Sequence, residues 1–217
     1  MLDPERVRDC VLAMREEACR FAEEGDAIVP EVTVKCRLGA DDMDTYEEFA
    51  NFVRVVSESG VRHFIVHARK CWLNGLSTKE NRTIPPLRYD WVERAGEEFP
   101  HLRISINGGV ADLATVRELL DKRFRREDGS DTSVLDSVMI GRQAYNDPWM
   151  FSVVDEQFFG EANPGLSRRD VVERYLAAAD RWEADAWHCD VMEKKHHIGG
   201  SATEIAKPVL RFFFGCR

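Results

Sequence analysis

No stretch of this 217-residue sequence stays apolar for the roughly 20 residues that a membrane-spanning helix requires. Its start, MLDPERVRDC, has neither the basic end nor the apolar run of a signal peptide. These absences predict an intracellular chain, cytoplasmic or within an organelle, with no membrane partner. Six cysteines are present (Cys10, Cys19, Cys36, Cys71, Cys189 and Cys216), but no two form a C-x-x-C pair. In a chain too large to need staples, that scatter predicts reduced thiols. Metal-like clustering is confined to His188, Cys189, His196 and His197, where an ordinary polar helix end is expected ahead of zinc. Low-complexity tracts are missing too. Positive charge is in short supply: 30 Lys and Arg face 39 Asp and Glu, a net charge of -9. Phosphate binding needs cations, so the total argues at first against a nucleic-acid partner. The deficit is uneven, however. From Arg168 to Arg217 nine Lys and Arg stand against eight Asp and Glu, so this segment is close to neutral. A basic patch at Lys194, Lys195 and the two following histidines stays open, with a solvated charged helix as the alternative.

What is present is a globular composition, 44% hydrophobic and 32% charged, enough for one large domain or a domain with an appendage. Asp3 suits an N-cap and Pro4 a first helical position. Val7, Val11, Met14, Ala18 and Phe21 then fall on one face of a helix ending near Gly25. The β-branched run EVTVKCRLG follows. Behind it, Asp44 and Glu47 at capping-box spacing precede Tyr46, Phe49, Phe52, Val53 and Val56. Strand then helix repeats with HFIVHAR and a helix from about Trp91, with LRISINGG and a helix from about Leu113, and with SVMIGR and a helix from Pro148 behind Asp147. Four successive units of this kind predict an α/β fold with a parallel sheet or a (β/α) barrel. RREDGSDTS, before the fourth strand, reads as a surface insertion. Beyond Gly160 the strands stop. A long helix capped by Ser167, with Val171, Val172, Tyr175, Leu176, Ala179 and Trp182 on its apolar side, and a second from Ser201 to Phe214 form a helical appendage. The expected division is residues 1–160 and 161–217.

In parallel β/α folds ligands bind at the carboxyl ends of the strands. All four ends here are polar or glycine-rich: Lys35 and Arg37; His67 and Arg69; Asn107, Gly108 and Gly109; Gly141 and Arg142. Alternation puts Lys35 and Arg37 on a face that Cys36 does not share. INGGV and MIGRQA each stand just before a helix, so bare N–H groups and a helix N-terminus could surround a phosphate, with Arg142 as counter-charge. Tight turns are the alternative use of these glycines. With Lys35 and His67 added, the set points to an aromatic, anionic cofactor such as FMN.

Four stretches, VTVKCRLGADDMDTYEEF, IVHARKCWLNGLSTKENRTIPPL, FPHLRISINGGV and VMIGRQAYNDP, together resemble the FMN-dependent tRNA-dihydrouridine synthases, most closely their A-type (20/20a) branch. DPERVRDCVLAMRE is similar to the family helix that precedes the fifth barrel strand. The resemblance implies that the chain is the C-terminal half of a (β/α)8 TIM barrel followed by part of an all-α tRNA-binding domain. It implies that Lys35 and His67 contact the flavin ring, that Asn107, Gly108, Gly109, Gly141 and Arg142 hold its ribityl-phosphate end, and that Lys79 and Arg82 meet tRNA. The implied reaction is reduction of a D-loop uridine to 5,6-dihydrouridine, with NADPH reducing FMN and a loop cysteine donating the proton.

The family's first four strands and that cysteine loop have no counterpart in this sequence, and EIAKPVLRFFFGCR is similar only to the start of a family helix. The expectation is therefore a chain truncated at both ends, with no catalytic residue of its own. Cys10, Cys19, Cys36 and Cys71 are not expected to replace the missing thiol. Half a barrel leaves two open strand edges, which favours self-association or binding of the complementary half. The competing expectations are a non-catalytic RNA-binding remnant and another FMN-dependent barrel oxidoreductase.

Overall fold

The computed structural model describes residues 1–25, 27–126, 129–186 and Phe212. Contacts divide the chain into two compact units, Met1–Gly141 and Arg142–Arg217.

In the first unit α1 (Pro4–Gly25) leads into β1 (Val34–Arg37), α2 (Tyr46–Ser57), β2 (His63–His67), α3 (Tyr89–Glu98), β3 (Arg103–Asn107), α4 (Leu113–Leu120), a β4 (Arg123–Arg125) and β5 (Asp131–Ser133) hairpin, and β6 (Ser137–Met139). The α/β expectation is met: β1, β2, β3 and β6 form one sheet in that order, and every neighbouring pair is parallel. Register gives the sheet two unlike faces. Val34, Phe64 and Ile104 lie in one row, and Cys36, Val66, Ile106 and Val138 in the next. On that face Phe64, Val66 and Ile106 are fully buried, and with Phe49, Val53 and Val56 of α2 and Val92 and Ala95 of α3 they make the core. The opposite face carries Lys35, Ile65, Ser105 and Ser137 in one row and Arg37, His67, Asn107 and Met139 in the next. Lys35 and Arg37 therefore do share a face, and Cys36 lies on the other.

α1 begins as expected, with Asp3 Oδ1 accepting from the Arg6 N–H at 3.0 Å. Its apolar face differs from the expected one, because Met14 and Phe21 are 58% and 61% exposed. Val11 and Ala22 are its buried residues, and Arg15, on the same stripe, donates to the carbonyl of Ser59 just past the end of α2. A cation there satisfies a carbonyl at a helix C-terminus, on the stripe that packs inward, while Met14 and Phe21 lie off that stripe. The capping box of α2 is displaced by one residue from Asp44/Glu47 to Thr45/Glu48. Asp44 is taken instead by Lys70, whose Nζ lies 2.7 Å from Oδ2. α4 starts as expected, Asp112 accepting from the Thr115 N–H at 2.7 Å. The polar insertion is an antiparallel hairpin.

Gly96, inside α3, tests the packing. A Cβ there would stand 2.0 Å from the backbone oxygen of Val134. Alanine gains about 1 kcal/mol of helix propensity over glycine, but pushing a backbone aside costs about 3 kcal/mol. The Gly96→Ala variant is thus expected to lose about 2 kcal/mol net. A urea midpoint at or above that of the parent chain would mean that α3 and the link between β5 and β6 are less tightly apposed.

The second unit opens with α5 (Arg142–Asn146), which patterning did not predict. The helix expected from Pro148 is instead a 3-10 segment, Pro148–Val153, and a π turn, Asp155–Phe159, closed by Gly160 at φ 69°. None of its side chains is buried, so no packed stripe selects the α pitch. α6 (Arg168–Ala186) has the expected Ser167 cap, the Ser167 N–H donating to Asp170 at 2.8 Å. Leu176, expected on its apolar side, is 50% exposed. The helix expected over 201–214 lies outside the described residues except at Phe212, whose ring meets Trp149 edge-on at 6.2 Å. His188, Cys189, His196 and His197 also lie outside them. Among the described residues no helix is long and apolar enough to cross a membrane.

Candidate functional site

The carboxyl ends of β1, β2 and β3 bring together most of the residues singled out in the sequence. Arg37, His67 and Asn107 are direct neighbours in register, and Lys35 lies one inward-facing position earlier on β1. The Asn107 amide donates to the Met139 carbonyl at 2.7 Å, tying the end of β3 to β6. Deeper on the same face a polar chain runs across three strands, from His63 Nε2 to Ser105 Oγ at 2.7 Å and on to Ser137 Oγ at 2.6 Å. A sheet face lined by hydroxyl, imidazole, amide and guanidinium groups is suited to a polar ligand, since buried polar atoms need partners.

Gly108 and Gly109 adopt φ of 118° and 74°, which L side chains avoid. A Cβ on Gly108 would lie 3.4 Å from the His67 ring and 3.1 Å from Leu87, and one on Gly109 would lie 2.7 Å from Leu87. Tyr89 donates its hydroxyl to the Gly108 carbonyl. Turn geometry and close packing thus account for these two glycines by themselves. Gly141 differs: a Cβ there would meet nothing within 4 Å, so its backbone is open to a ligand. Arg142 is the first residue of α5, in the second unit.

Lys35 and Arg37 also line a cavity of about 630 Å3 with Arg6, Cys36, Cys71 and Leu73. Of its two thiols, Cys36 is pushed up to about 12 by burial. It therefore stays protonated at neutral pH, which makes it a poor nucleophile. A raised folded-state value stabilises the fold below the ordinary thiol range and is lost as pH climbs through the folded value, so this contribution declines between about pH 9 and pH 12. Brief alkylation at pH 8 followed by mass mapping should modify the exposed Cys10 and Cys19 and spare Cys36. Rapid labelling of Cys36 would contradict a thiol held protonated by its surroundings.

The segment from Ala68 to Arg88 is the part of the site that sequence reasoning read least completely. It holds Arg69, Lys70, Lys79, Arg82 and Arg88 against the single acid Glu80, a local basic excess inside an acidic chain that a windowed charge count would have found. Lys79 and Arg82 are exposed, at the start and end of a 3-10 turn, Glu80–Arg82. Ser77 and Glu80 cap that turn reciprocally, the Ser77 hydroxyl donating to Glu80 at 2.6 Å, which holds the Glu80 carboxylate below its usual range. Arg37 reaches beneath the segment and donates to the carbonyls of Lys70 and Asn81, both at 2.9 Å. Burial lowers the Arg37 pKa; Cys71 opposes that shift and Arg82 adds to it. Lys70, paired with Asp44, also lies 4.2 Å over the Trp72 ring. Asp41, at φ 50°, accepts from the Leu73 N–H at 2.8 Å and so joins the loop after β1 to the loop after β2. The sequence marks Arg37 only as a strand-end residue and Asn81 not at all, because their contacts join positions far apart in the chain.

Comparison with known proteins adds a family. The model described as "Dihydrouridine synthase (Dus)" matches residues 1–198. A "tRNA-dihydrouridine(20/20a) synthase" of Vibrio vulnificus is 44% identical over 200 residues, covering 92% of this chain and 54% of the relative. A protein of the same name from Synechocystis is 41% identical over 215 residues, covering 99% of this chain and 54% of the relative. That of Vibrio parahaemolyticus is 42% identical over 174 residues. The chain spans about half the length of the curated relatives it matches.

Proposed function

Because the chain belongs to the dihydrouridine synthase family, we propose that it forms the flavin-facing and RNA-facing part of an FMN-dependent oxidoreductase that reduces a tRNA D-loop uridine, at 20 or 20a, with NADPH as reductant. The observation that carries this reading is the shared face on which Arg37, His67 and Asn107 stand side by side with Lys35, at the strand ends from which the Lys79 loop departs. FMN, when bound, supplies the hydride that saturates the uracil C5–C6 bond. Lys35 and His67 would lie against its ring, with Asn107, Gly108 and Gly109 following. Gly141 and Arg142, consecutive in the chain, would meet its phosphate end, in line with the open space at Gly141. A cationic Lys35 fits a ring system that gains negative charge on reduction.

Cys36 is turned away from Lys35, Cys10 and Cys19 lie on α1, and Cys71 sits in the loop that would face RNA. We assign the proton-donor role to none of them, and further chain, covalently joined or separate, would supply that group together with the other half of the barrel. The helical second unit would be the start of a tRNA-binding region.

The deciding experiment is the visible spectrum of the purified chain after incubation with FMN and removal of free flavin. A retained, perturbed flavin band is the expected result, weakened about tenfold in affinity for Arg142→Ala, the loss of one charge-assisted contact. A folded chain that retains no flavin but binds tRNA would replace this reading by that of an RNA-binding chain, and flavin affinity unchanged by Arg142→Ala would remove the phosphate assignment.

A further inference from the structure

Lys79 and Arg82 flank a residue whose side chain ties down the backbone of their turn. Asn81, between them, is only 8% exposed. Its side-chain oxygen accepts from the Trp72 N–H at 2.8 Å, and its amide nitrogen donates to the Trp72 carbonyl at 2.8 Å and to that of Leu76 at 3.4 Å. The side chain thus meets both backbone groups of Trp72, as a neighbouring strand would. Its own carbonyl accepts from Arg37, which ties the turn to the end of β1. A three-residue 3-10 turn has almost no stability by itself, so these tethers supply its geometry. In such a turn side chains three apart eclipse, which sends Lys79 and Arg82 out on the same side.

We infer that Asn81 is the positioning residue of the RNA-facing turn, holding Lys79 and Arg82 as a fixed pair of cations; this rests on the tRNA reading above. A fixed pair binds adjacent phosphates without first losing loop entropy, whereas a loosened turn presents two independent, mobile charges. Asn81→Asp keeps the acceptor toward Trp72 N–H and removes both donors, and Asn81→Ala removes all three contacts without adding charge.

The test is equilibrium binding of an unmodified tRNA transcript to the full chain, to both Asn81 variants, to Lys79→Ala/Arg82→Ala, and to their combination, with urea midpoints measured alongside. Each Asn81 variant is expected to bind about tenfold more weakly and with a shallower salt dependence. In the background lacking Lys79 and Arg82, changing Asn81 should cost nothing further, because its effect runs through those two side chains. Flavin retention should be unaffected. Additive losses, or urea midpoints that collapse in both Asn81 variants, would make Asn81 a general fold residue and overturn the inference. Normal RNA binding by the Asn81 variants, with loss on removing Lys79 and Arg82, would overturn it while leaving the tRNA reading intact. Absence of salt-sensitive tRNA binding by the parent chain would overturn both.

Discussion

Truncating Phe64 to alanine should cost about 4 kcal/mol. Its ring is fully buried in the middle strand of β1, β2 and β3, in a row with Val34 and Ile104. Deleting a buried aromatic ring loses its transfer free energy and leaves a cavity that neighbours fill only in part. Domains of ordinary stability hold about 5–15 kcal/mol, so the variant is expected to stay folded in water but to unfold at a much lower urea concentration. The informative comparison is Ile65→Ala, one residue along the same strand. Ile65 lies half-buried on the opposite face, beside Lys35 and Ser105, and its truncation should cost about 1 kcal/mol. Urea midpoints measure both. Equal losses would contradict the assignment of one face to the core and the other to a ligand, and with it the placement of Lys35, Arg37 and His67.

That assignment was legible in the sequence because strand alternation is a local property. Knowing that Lys35 and Arg37 bracket Cys36 suffices to separate them by face, and the parallel order follows from four strand-helix units in succession. Two helix starts were legible for the same reason: Asp3 and Ser167 accept from backbone N–H groups three positions away. Misreadings arose where a distant partner decided. Asp44 carries every local mark of a cap, but Lys70 claims its carboxylate and the cap passes to Thr45. Met14 and Phe21 have helical spacing suited to a buried stripe, but the stripe that packs inward is that of Val11, Arg15 and Ala22, where Arg15 meets the carbonyl of Ser59. Neither Lys70 nor Ser59 can be identified as a partner from sequence spacing.

At the candidate site the same division holds. Residue types at the strand ends could be read off directly, and a glycine pair before a helix suggested an anion. The three strand-end glycines divide by role: Gly108 and Gly109 are packed under Leu87 and Tyr89, and Gly141 faces open space. A sequence cannot make that distinction, since positive φ and close approach both select glycine. The loop after β2 was recognised by its motif, and its chemistry by two cations. How it is held, through Arg37, Asp41 and Asn81, depends on hydrogen bonds to backbone groups, which leave no mark on residue type at the accepting position.

Removal of both loop cations, Lys79→Ala with Arg82→Ala, should weaken binding of an unmodified tRNA transcript about a hundredfold at low salt, roughly tenfold for each charge-assisted contact. The slope of log affinity against log salt should flatten by about 1.5, the release of two fewer counterions. Both side chains are exposed, so the urea midpoint should stay where it was. Flavin retention should also persist, because Lys35, His67 and Asn107 lie on the sheet and not on the turn. A matched control is Arg125→Ala with Arg126→Ala on the β4–β5 hairpin and its turn, which precede β6 and so belong to the amino ends of the strands. Both pairs remove two positive charges from a chain whose net charge is -9. General electrostatic attraction would make the two losses equal, whereas a turn that meets RNA makes the first large and the second small. If the hairpin pair matters as much, the basic excess acts only as a long-range field; if neither pair matters, the loop after β2 does not face RNA. A large loss confined to the loop would leave the ligand-facing sheet ends and the RNA-facing turn as neighbours joined through Arg37, which reaches from β1 to the carbonyl of Asn81.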